Sequence, residues 1–356
     1  MTDGKSNNIN SARITALDGL RAIAIGLVLS AHGCEAFLSI SHVWWMAPLT
    51  NGSLGVRLFF VLSGYLITSL LMREQEQHGT ISLRNFYARR TLRIFPAFYV
   101  YLGVISILVG GGWIAVSGEQ LAAAASYTWN YLGLWHNGGP SEGSWFLGHL
   151  WTLSLEEQFY LVWPGLIVLG GWRCAKFTVL LVPLIAPLLR LVIYATFPDQ
   201  RGFLGMMFHT AIDSILIGCA FAIWQAKLSP LVMGRGLVIG AALYAFLVSP
   251  WLAFHFHGAY SITVGFGLDA VCCGILILNA RQIGIWNRVL SWNPLCLLGT
   301  WSYSLYLWQQ LFLTDYQKPW TGGPILAFSA TFACALLSHY AVENPVLRLK
   351  NRFQRL

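Results

Sequence analysis

Ten runs of predominantly apolar residues follow one another along this chain, and they constrain its fold more than any other feature. They cover residues 15–34, 54–72, 94–116, 149–169, 177–197, 204–225, 236–254, 258–279, 293–313 and 323–342. A helix needs about 20 apolar residues to cross a bilayer. Only 10% of the 356 residues are charged, against about 25% in a soluble domain. The sequence predicts an all-α fold: a polytopic membrane helix bundle of about ten transmembrane helices, forming one membrane-embedded domain over 1–356.

The basic residues predict how these helices cross the membrane. If 117–148 is one external segment, with or without a helix lying on the membrane, 18 of the 22 Lys and Arg lie on the side of both termini. Because cytoplasmic loops carry an excess of Lys and Arg, we expect cytoplasmic tails at 1–13 and 343–356. Residues 1–13 do not resemble a signal peptide. We therefore expect a multi-pass membrane protein in contact with membrane lipids, and no nucleic-acid partner despite the net charge of +8.

Two polar residues in the first run indicate a site inside the membrane. His32 follows Arg21 by eleven positions, which returns a helix nearly to the same face and separates the two by about 16 Å. Ionisable side chains within membrane helices are costly and commonly functional. Both are therefore candidate catalytic residues. The alternative for Arg21 is a cytoplasmic anchor paired with Asp18, which lies three residues earlier on the same helix.

The fourth run contains two adjacent carboxylates, Glu156 and Glu157. Their position within a span is a second indication of function. A carboxylate beside an imidazole orients it and raises its basicity, so we expect one of them to act with His32 in catalysis. The alternative is a structural pair of one glutamate with Arg57 or Arg190.

The densest basic cluster precedes the third run and includes Arg89, Arg90 and Arg93. Guanidinium groups bind phosphates well, so we expect these residues to bind a cytoplasmic phosphorylated ligand; an anionic-lipid site is the alternative. Ser63 and Gly64 in the second run leave space for a thin acyl-carrying arm, or they permit close helix packing.

The remaining candidate groups favour structural roles. The buried charges Arg190, Asp213 and Asp269 are expected to form ion pairs. The seven cysteines lie mostly in apolar runs without Cys-x-x-Cys spacing, so neither a metal site nor a disulfide framework is expected.

Several motifs together resemble the acyltransferase 3 family of integral-membrane acyltransferases. They occur in order along almost the whole chain: Arg21-x10-His32, Gly55 to Tyr65 (GVRLFFVLSGY), Arg89 to Pro96 (RRTLRIFP), His149 to Tyr160 (HLWTLSLEEQFY), Asp213 before Gly218, Ser302 to Trp308 (SYSLYLW) and Glu343-Asn-Pro345. The match from His149 to Tyr160 is the most specific.

This resemblance implies O-acylation of a carbohydrate acceptor at the outer face with a cytoplasmic acyl-CoA donor, commonly acetyl-CoA, and no permanently bound cofactor. It implies that His32 is the base for the acceptor hydroxyl or a transient acyl carrier, and that Arg21 holds the donor or polarises its thioester. Arg89, Arg90 and Arg93 would bind the CoA phosphates, and Glu156 or Glu157 would orient His32 or the acceptor. Some relatives carry a fused extracytoplasmic esterase-like domain, so we expect this chain to act alone or with a separate extracytoplasmic transferase.

Two positions depart from the family pattern. An acidic residue is common where Arg57 stands, and a His is common where Gln309 follows Trp308. Both departures bear on the choice of donor or acceptor. Two other function classes stay open at this stage: a transporter of an acyl or sugar substrate with a buried charge relay, and a membrane scaffold or sensor.

Overall fold

The computed structural model describes residues 15–38, 44–133, 141–282 and 284–349, and within them every regular element is helical. Eight main helices organise the chain: α1 (Thr15–Leu38), α2 (Gly52–His78), α3 (Leu83–Gly110), α4 (Leu150–Thr196), α5 (Asp213–Ile223), α6 (Arg235–Ala280), α7 (Asn293–Phe312) and α8 (Pro324–Leu349). Shorter helical segments connect them: Trp44–Met46, Gly118–Ala125, Trp129–Leu132, Glu142–Phe146, Pro198–Phe203, Phe208–Ala211, Gln225–Leu228, Leu231–Met233 and Ile285–Leu290. The predicted all-helical architecture is confirmed over the described residues.

Six of the main helices in the described part are long and apolar enough to cross a membrane: α1, α2, α3, α4, α6 and α8. Many of their large apolar side chains face outward, for example Leu169, Leu184 and Ile325. Outward apolar surface on this scale suits a lipid environment, since soluble monomers rarely expose it. The chain is therefore a multi-pass membrane protein.

The two longest helices are each broken in the middle. Gly171 in α4 has φ 69° and ψ 177°, and His257 in α6 has φ 48° and ψ −134°. An unbroken helix of 47 residues would be about 70 Å long, which is far more than a bilayer is thick. The breaks fall between the spans predicted at 149–169 and 177–197, and between those predicted at 236–254 and 258–279.

Two other predicted spans do not correspond to long, strongly apolar helices. The region predicted at 204–225 contains α5, which has 11 residues and alone is too short to cross a bilayer. The span predicted at 293–313 corresponds to α7, a 20-residue helix rich in polar and aromatic side chains. The count of ten spans and the cytoplasmic position of both termini stay predictions.

The stretch 121–134 does not form a span in its described part. Helix Gly118–Ala125 ends before Tyr127, whose φ is 54°, and a separate four-residue helix follows at Trp129–Leu132. This agrees with treating 117–148 as one segment without a crossing. The glycine-rich loop 134–140 and residues 39–43 lie outside the described residues.

Close backbone contacts hold the site-bearing helices together. Gly64 of α2 faces α5, where a Cβ would lie 2.0 Å from the Ile215 carbonyl oxygen, and Gly218 of α5 similarly faces Val61. Gly299 of α7 packs on α1, where a Cβ would meet the Asp18 carbonyl oxygen at 1.8 Å. Small residues allow membrane helices to approach this closely, so α1, α2, α5 and α7 form a tightly packed centre.

Candidate active site

Arg21 and His32 both project from α1, but they line two different cavities. The cavity at Arg21, called the arginine cavity below, has a volume of about 210 Å³. The cavity at His32, called the histidine cavity, has a volume of about 560 Å³. The eleven-residue spacing places the two side chains along one helix face, and the structure places a separate chamber beside each.

The arginine cavity gathers predicted site residues from four helices. Its charged and polar wall includes Arg21 of α1, Ser63 of α2, Arg90 and Arg93 of α3, and Glu156 and Tyr160 of α4. Among the described lining residues, three guanidinium groups therefore face a single carboxylate. Such an excess of positive charge in a low-dielectric site favours an anion or a polarised carbonyl oxygen.

Several contacts fix the side chains of this cavity. Arg21 Nη1 lies 2.9 Å from Asp18 Oδ1, so the pair that the sequence offered as the alternative for Arg21 is present. The Arg90 guanidinium lies 5.3 Å from the centre of the Tyr160 ring, a cation–π distance. The Tyr160 hydroxyl is hydrogen-bonded to Ser63 Oγ. Three helices are thereby joined at the cavity wall.

The histidine cavity has a different chemical character. Its described lining includes one carboxylate, Glu35, together with Gln120, Asn130 and the indoles Trp129 and Trp151, and no Lys or Arg. Indole faces with amide and hydroxyl groups suit an uncharged polar ligand.

His32 is oriented by a residue that the sequence did not indicate. Its Nδ1 lies 2.7 Å from Gln309 Oε1, and its ring meets the edge of Trp145 at 5.8 Å between ring centres. With Nδ1 donating to the amide oxygen, the neutral imidazole carries its lone pair on Nε2. A base for a hydroxyl proton requires this tautomer.

His149, a second imidazole of the same cavity, is engaged at both nitrogens. Its Nδ1 lies 2.7 Å from Gln310 Oε1 and its Nε2 lies 3.1 Å from the Leu307 carbonyl oxygen. No described residue hydrogen-bonds to Nε2 of His32. The contrast supports His32 as the reactive imidazole and gives His149 a structural position.

The two glutamates lie away from His32. Glu156 faces the arginine cavity, and Oε1 of Glu157 is buried without a hydrogen-bond partner among the described residues. The expected contact with His32 is made by Gln309 instead. The physical reason lies in α4, because Glu156 is about one and a half turns further along the helix than Trp151, which borders the histidine cavity.

Two other predicted site residues do not border the arginine cavity. Arg89 Nη2 lies 3.0 Å from Glu74 Oε2 on α2. Gly64 is occupied by the packing of α2 on α5. Arg90, Arg93 and Ser63 thus line the cavity, whereas their neighbours Arg89 and Gly64 do not. The ligand-binding role of all five residues stays a prediction.

The remaining buried charges are paired with each other. Arg190 Nη1 lies 2.8 Å from Asp213 Oδ2, and Arg57 Nε lies 3.3 Å from Asp269 Oδ2. The Phe266 ring packs against both guanidinium groups. The expected pairing of Arg190 with an aspartate is confirmed, and the alternative that Arg57 or Arg190 pairs with Glu156 or Glu157 is wrong.

Sequence reasoning missed a third cavity, called the Arg73 cavity. It shares Arg21, Arg93, Ser302 and Tyr303 with the arginine cavity, and it adds two cations, Arg73 and Arg281, and two carboxylates, Asp18 and Glu343. Its volume is about 480 Å³. The two arginines come from the ends of α2 and α6, so only the tertiary structure brings them together.

Comparison with known proteins defines the family. A family model described as an acyltransferase domain matches residues 14–342. The chain belongs to this acyltransferase family. No solved structure matches the chain, and within the described residues no group of His, Cys, Asp and Glu is placed to hold a metal ion.

The chain is similar to several curated proteins. It is 29% identical to a peptidoglycan O-acetyltransferase of Listeria monocytogenes, over 94% of this chain and 56% of that protein. It is 30% identical to a putative O-acetyltransferase of Staphylococcus aureus, over 93% and 57%, and 30% identical to a putative peptidoglycan O-acetyltransferase of Bacillus subtilis, over 94% and 55%. The chain thus spans a little more than half the length of these relatives.

Proposed function

We propose that this protein is a membrane O-acyltransferase that moves an acyl group, commonly acetyl, from cytoplasmic acyl-CoA to a carbohydrate hydroxyl at the outer face of the bacterial inner membrane. The observation that carries the proposal is the placement of Arg21 and His32 in two adjoining cavities of opposite chemical character. A cationic chamber suits the donor, and a chamber with indole walls, amides and no described Lys or Arg suits a saccharide.

The donor would occupy the Arg73 cavity and the arginine cavity together. The arginine cavity, at about 210 Å³, is smaller than the roughly 300–1,000 Å³ of typical ligand sites, so a CoA thioester would extend into the adjoining chamber. Arg73, Arg93 and Arg281 would bind its phosphates. Arg21, on the same helix as His32, would hold the donor while its thioester end extends towards the histidine cavity.

His32 would act as general base in direct transfer. Its Nε2 takes the proton of the acceptor hydroxyl while the hydroxyl oxygen attacks the thioester carbonyl carbon. The new C–O bond forms, the C–S bond breaks, and the departing thiolate receives a proton to leave as CoA thiol. A transient acyl group on His32 is the alternative route with the same net reaction.

The acceptor class is proposed from the histidine cavity and from the relatives. Lining amides and indoles fit a neutral sugar ring, and two of the relatives are named as enzymes of peptidoglycan O-acetylation. Peptidoglycan is therefore the first acceptor to test. A separate extracytoplasmic transferase would receive the acyl group if no glycan accepts it directly.

The test is acyl transfer by the purified protein in proteoliposomes, with labelled acetyl-CoA and solubilised peptidoglycan fragments. We expect His32→Ala to lose at least about 100-fold in rate, the lower range for general-base catalysis. His255→Ala is the matched control, because His255 is an exposed imidazole outside the three cavities. Equal activity of His32→Ala and wild type would contradict the proposal.

Transport is the second candidate, because three adjoining cavities are also what a substrate pathway requires. The same vesicles distinguish the two functions. Transport would move labelled acyl-CoA or sugar into the lumen without CoA thiol release, whereas acyl transfer releases one thiol for each ester formed.

A further inference from the structure

Two side chains belong to the walls of both the arginine cavity and the histidine cavity. Of all described residues that line either chamber, only Val56 of α2 and Tyr306 of α7 line both. Val56 also borders a smaller cavity beside Arg57 and Trp151. The two chambers therefore adjoin at these two side chains, which stand on the way from the cationic chamber to His32.

Tyr306 is the fixed side of this constriction. Its hydroxyl donates to the His149 carbonyl oxygen at 3.0 Å and accepts from Thr152 Oγ1 at 2.7 Å. Its ring makes edge contacts with Phe59 and His149. Because the hydroxyl is tied to α4 and the ring is buried, movement of Tyr306 would break two hydrogen bonds at once.

Val56 is the side of the constriction whose volume a single substitution can change. It projects from the same helix face as Ser63, seven positions later, which lines the arginine cavity. A β-branched side chain holds one χ1 rotamer in a helix, so its two methyl groups occupy defined positions in the wall that the two cavities share. The width of the passage then depends on the methyl groups at position 56.

We propose that Val56 and Tyr306 form an acyl-length filter through which the thioester end of the donor reaches the histidine cavity. The inference rests on the proposed acyltransferase function and adds a specificity-determining residue to it. The thioester passes intact; the C–S bond breaks and the C–O bond forms only beside His32. Acyl groups that are longer than acetyl meet the Val56 methyl groups and are disfavoured.

The experiment measures kcat/KM for acetyl-CoA, propionyl-CoA and butyryl-CoA with one acceptor, in wild type, Val56→Ala and Val56→Ile. We expect Val56→Ala to raise the propionyl-to-acetyl ratio by about tenfold, the lower end of what one methylene contributes in an apolar pocket. Val56→Ile, which adds a methylene, should lower that ratio. The opposite signs keep the test decisive if one of the variants is poorly folded.

Two matched controls separate size from other effects. Val56→Thr keeps the branched shape and replaces one methyl group with a hydroxyl, so it should leave the chain-length ratio unchanged. Val61→Ala removes the same atoms from a buried α2 position that lines neither chamber, so it should also leave the ratio unchanged.

The outcomes for the two proposals are distinct. If wild type transfers no acyl group, the proposed function fails and the filter with it. If wild type transfers acetyl but Val56→Ala and Val56→Ile have the wild-type ratio, or if Val61→Ala changes it equally, only the filter is overturned.

Discussion

Two groups of buried arginines in this molecule differ in how their charge is balanced. Arg57 and Arg190 each lie beside an aspartate, with a shared aromatic ring between them. The arginine cavity has three guanidinium groups and one lining carboxylate. Each arginine of the first group has its own aspartate. In the second group Arg21 is paired with Asp18, which leaves Arg90 and Arg93 with one lining carboxylate, Glu156, and thus a surplus of positive charge that a donor anion would neutralise. Charge balance, more than burial, separates a structural arginine from a candidate ligand-binding one.

The largest loss of stability should come from removing one partner of a charge-balanced buried ion pair. In Asp213→Ala, Arg190, whose side chain is 0% exposed, loses its carboxylate, and we expect destabilisation of about 3–5 kcal/mol. Thermal unfolding in detergent measures it, with the exposed Asp199→Ala as control. The double variant Arg190→Met/Asp213→Leu should recover most of the stability, because it leaves no unpaired charge. A wild-type unfolding temperature for Asp213→Ala would contradict the structural role.

The surplus group should respond in the opposite way. Arg93→Ala is expected to leave the unfolding temperature almost unchanged and to weaken acetyl-CoA binding by roughly 1.5–3 kcal/mol, the usual contribution of a hydrogen bond to a charged group. Calorimetry on the purified protein measures the affinity. Arg84→Ala, an exposed arginine of the same helix, serves as the control. Unaltered affinity together with a lower unfolding temperature would show that Arg93 has a structural role instead.

The single carboxylate of the arginine cavity sharpens the comparison further. Glu156→Gln removes a negative charge from the chamber, so the acetyl-CoA anion should bind more tightly by about 1 kcal/mol. This is the interaction energy with one nearby charge at a dielectric constant between those of protein and water. Turnover should fall if Glu156 has the predicted catalytic role. Asp315→Asn, an exposed carboxylate elsewhere, controls for net charge. Weaker binding by Glu156→Gln would instead indicate that Glu156 contacts the donor directly.

A balanced pair outside the spans should give the smallest effect. Partial burial acts to raise the pKa of Glu142, but hydrogen bonds from Lys318 and the Ala115 N–H outweigh it and lower the pKa below 4.5. A lowered folded-state pKa adds stability above about pH 4.5 that is lost as the pH falls through the folded value. We expect less than about 1 kcal/mol.

The measurement is the difference in unfolding temperature between wild type and Glu142→Gln. The difference should be present at pH 7 and should shrink as the pH falls below 4.5. A difference that grows on acidification would contradict the assignment.

The parts of this structure that follow from local sequence were predictable. Apolar runs gave the long helices, the Arg21 and His32 spacing gave a shared helix face, and Asp18 was identified as the partner of Arg21. The contact between His32 and Gln309 joins residues 277 positions apart, and no local pattern encodes it. Arg73 and Arg281 were likewise visible as basic residues but not as neighbours. Arg90 lines the arginine cavity and Arg89 does not, because this depends on which face of α3 packs against α4.

The narrow passage at Val56 and Tyr306 has an electrical consequence if the two chambers open to opposite sides of the membrane, as proposed. Much of the voltage across the bilayer would then fall over the short stretch at these two side chains. Moving one elementary charge through 100 mV requires about 2.3 kcal/mol. An uncharged thioester crosses this layer without electrical work, while the CoA phosphates stay beside the arginines. The protein would then deliver an acyl group across the membrane without dissipating the membrane potential.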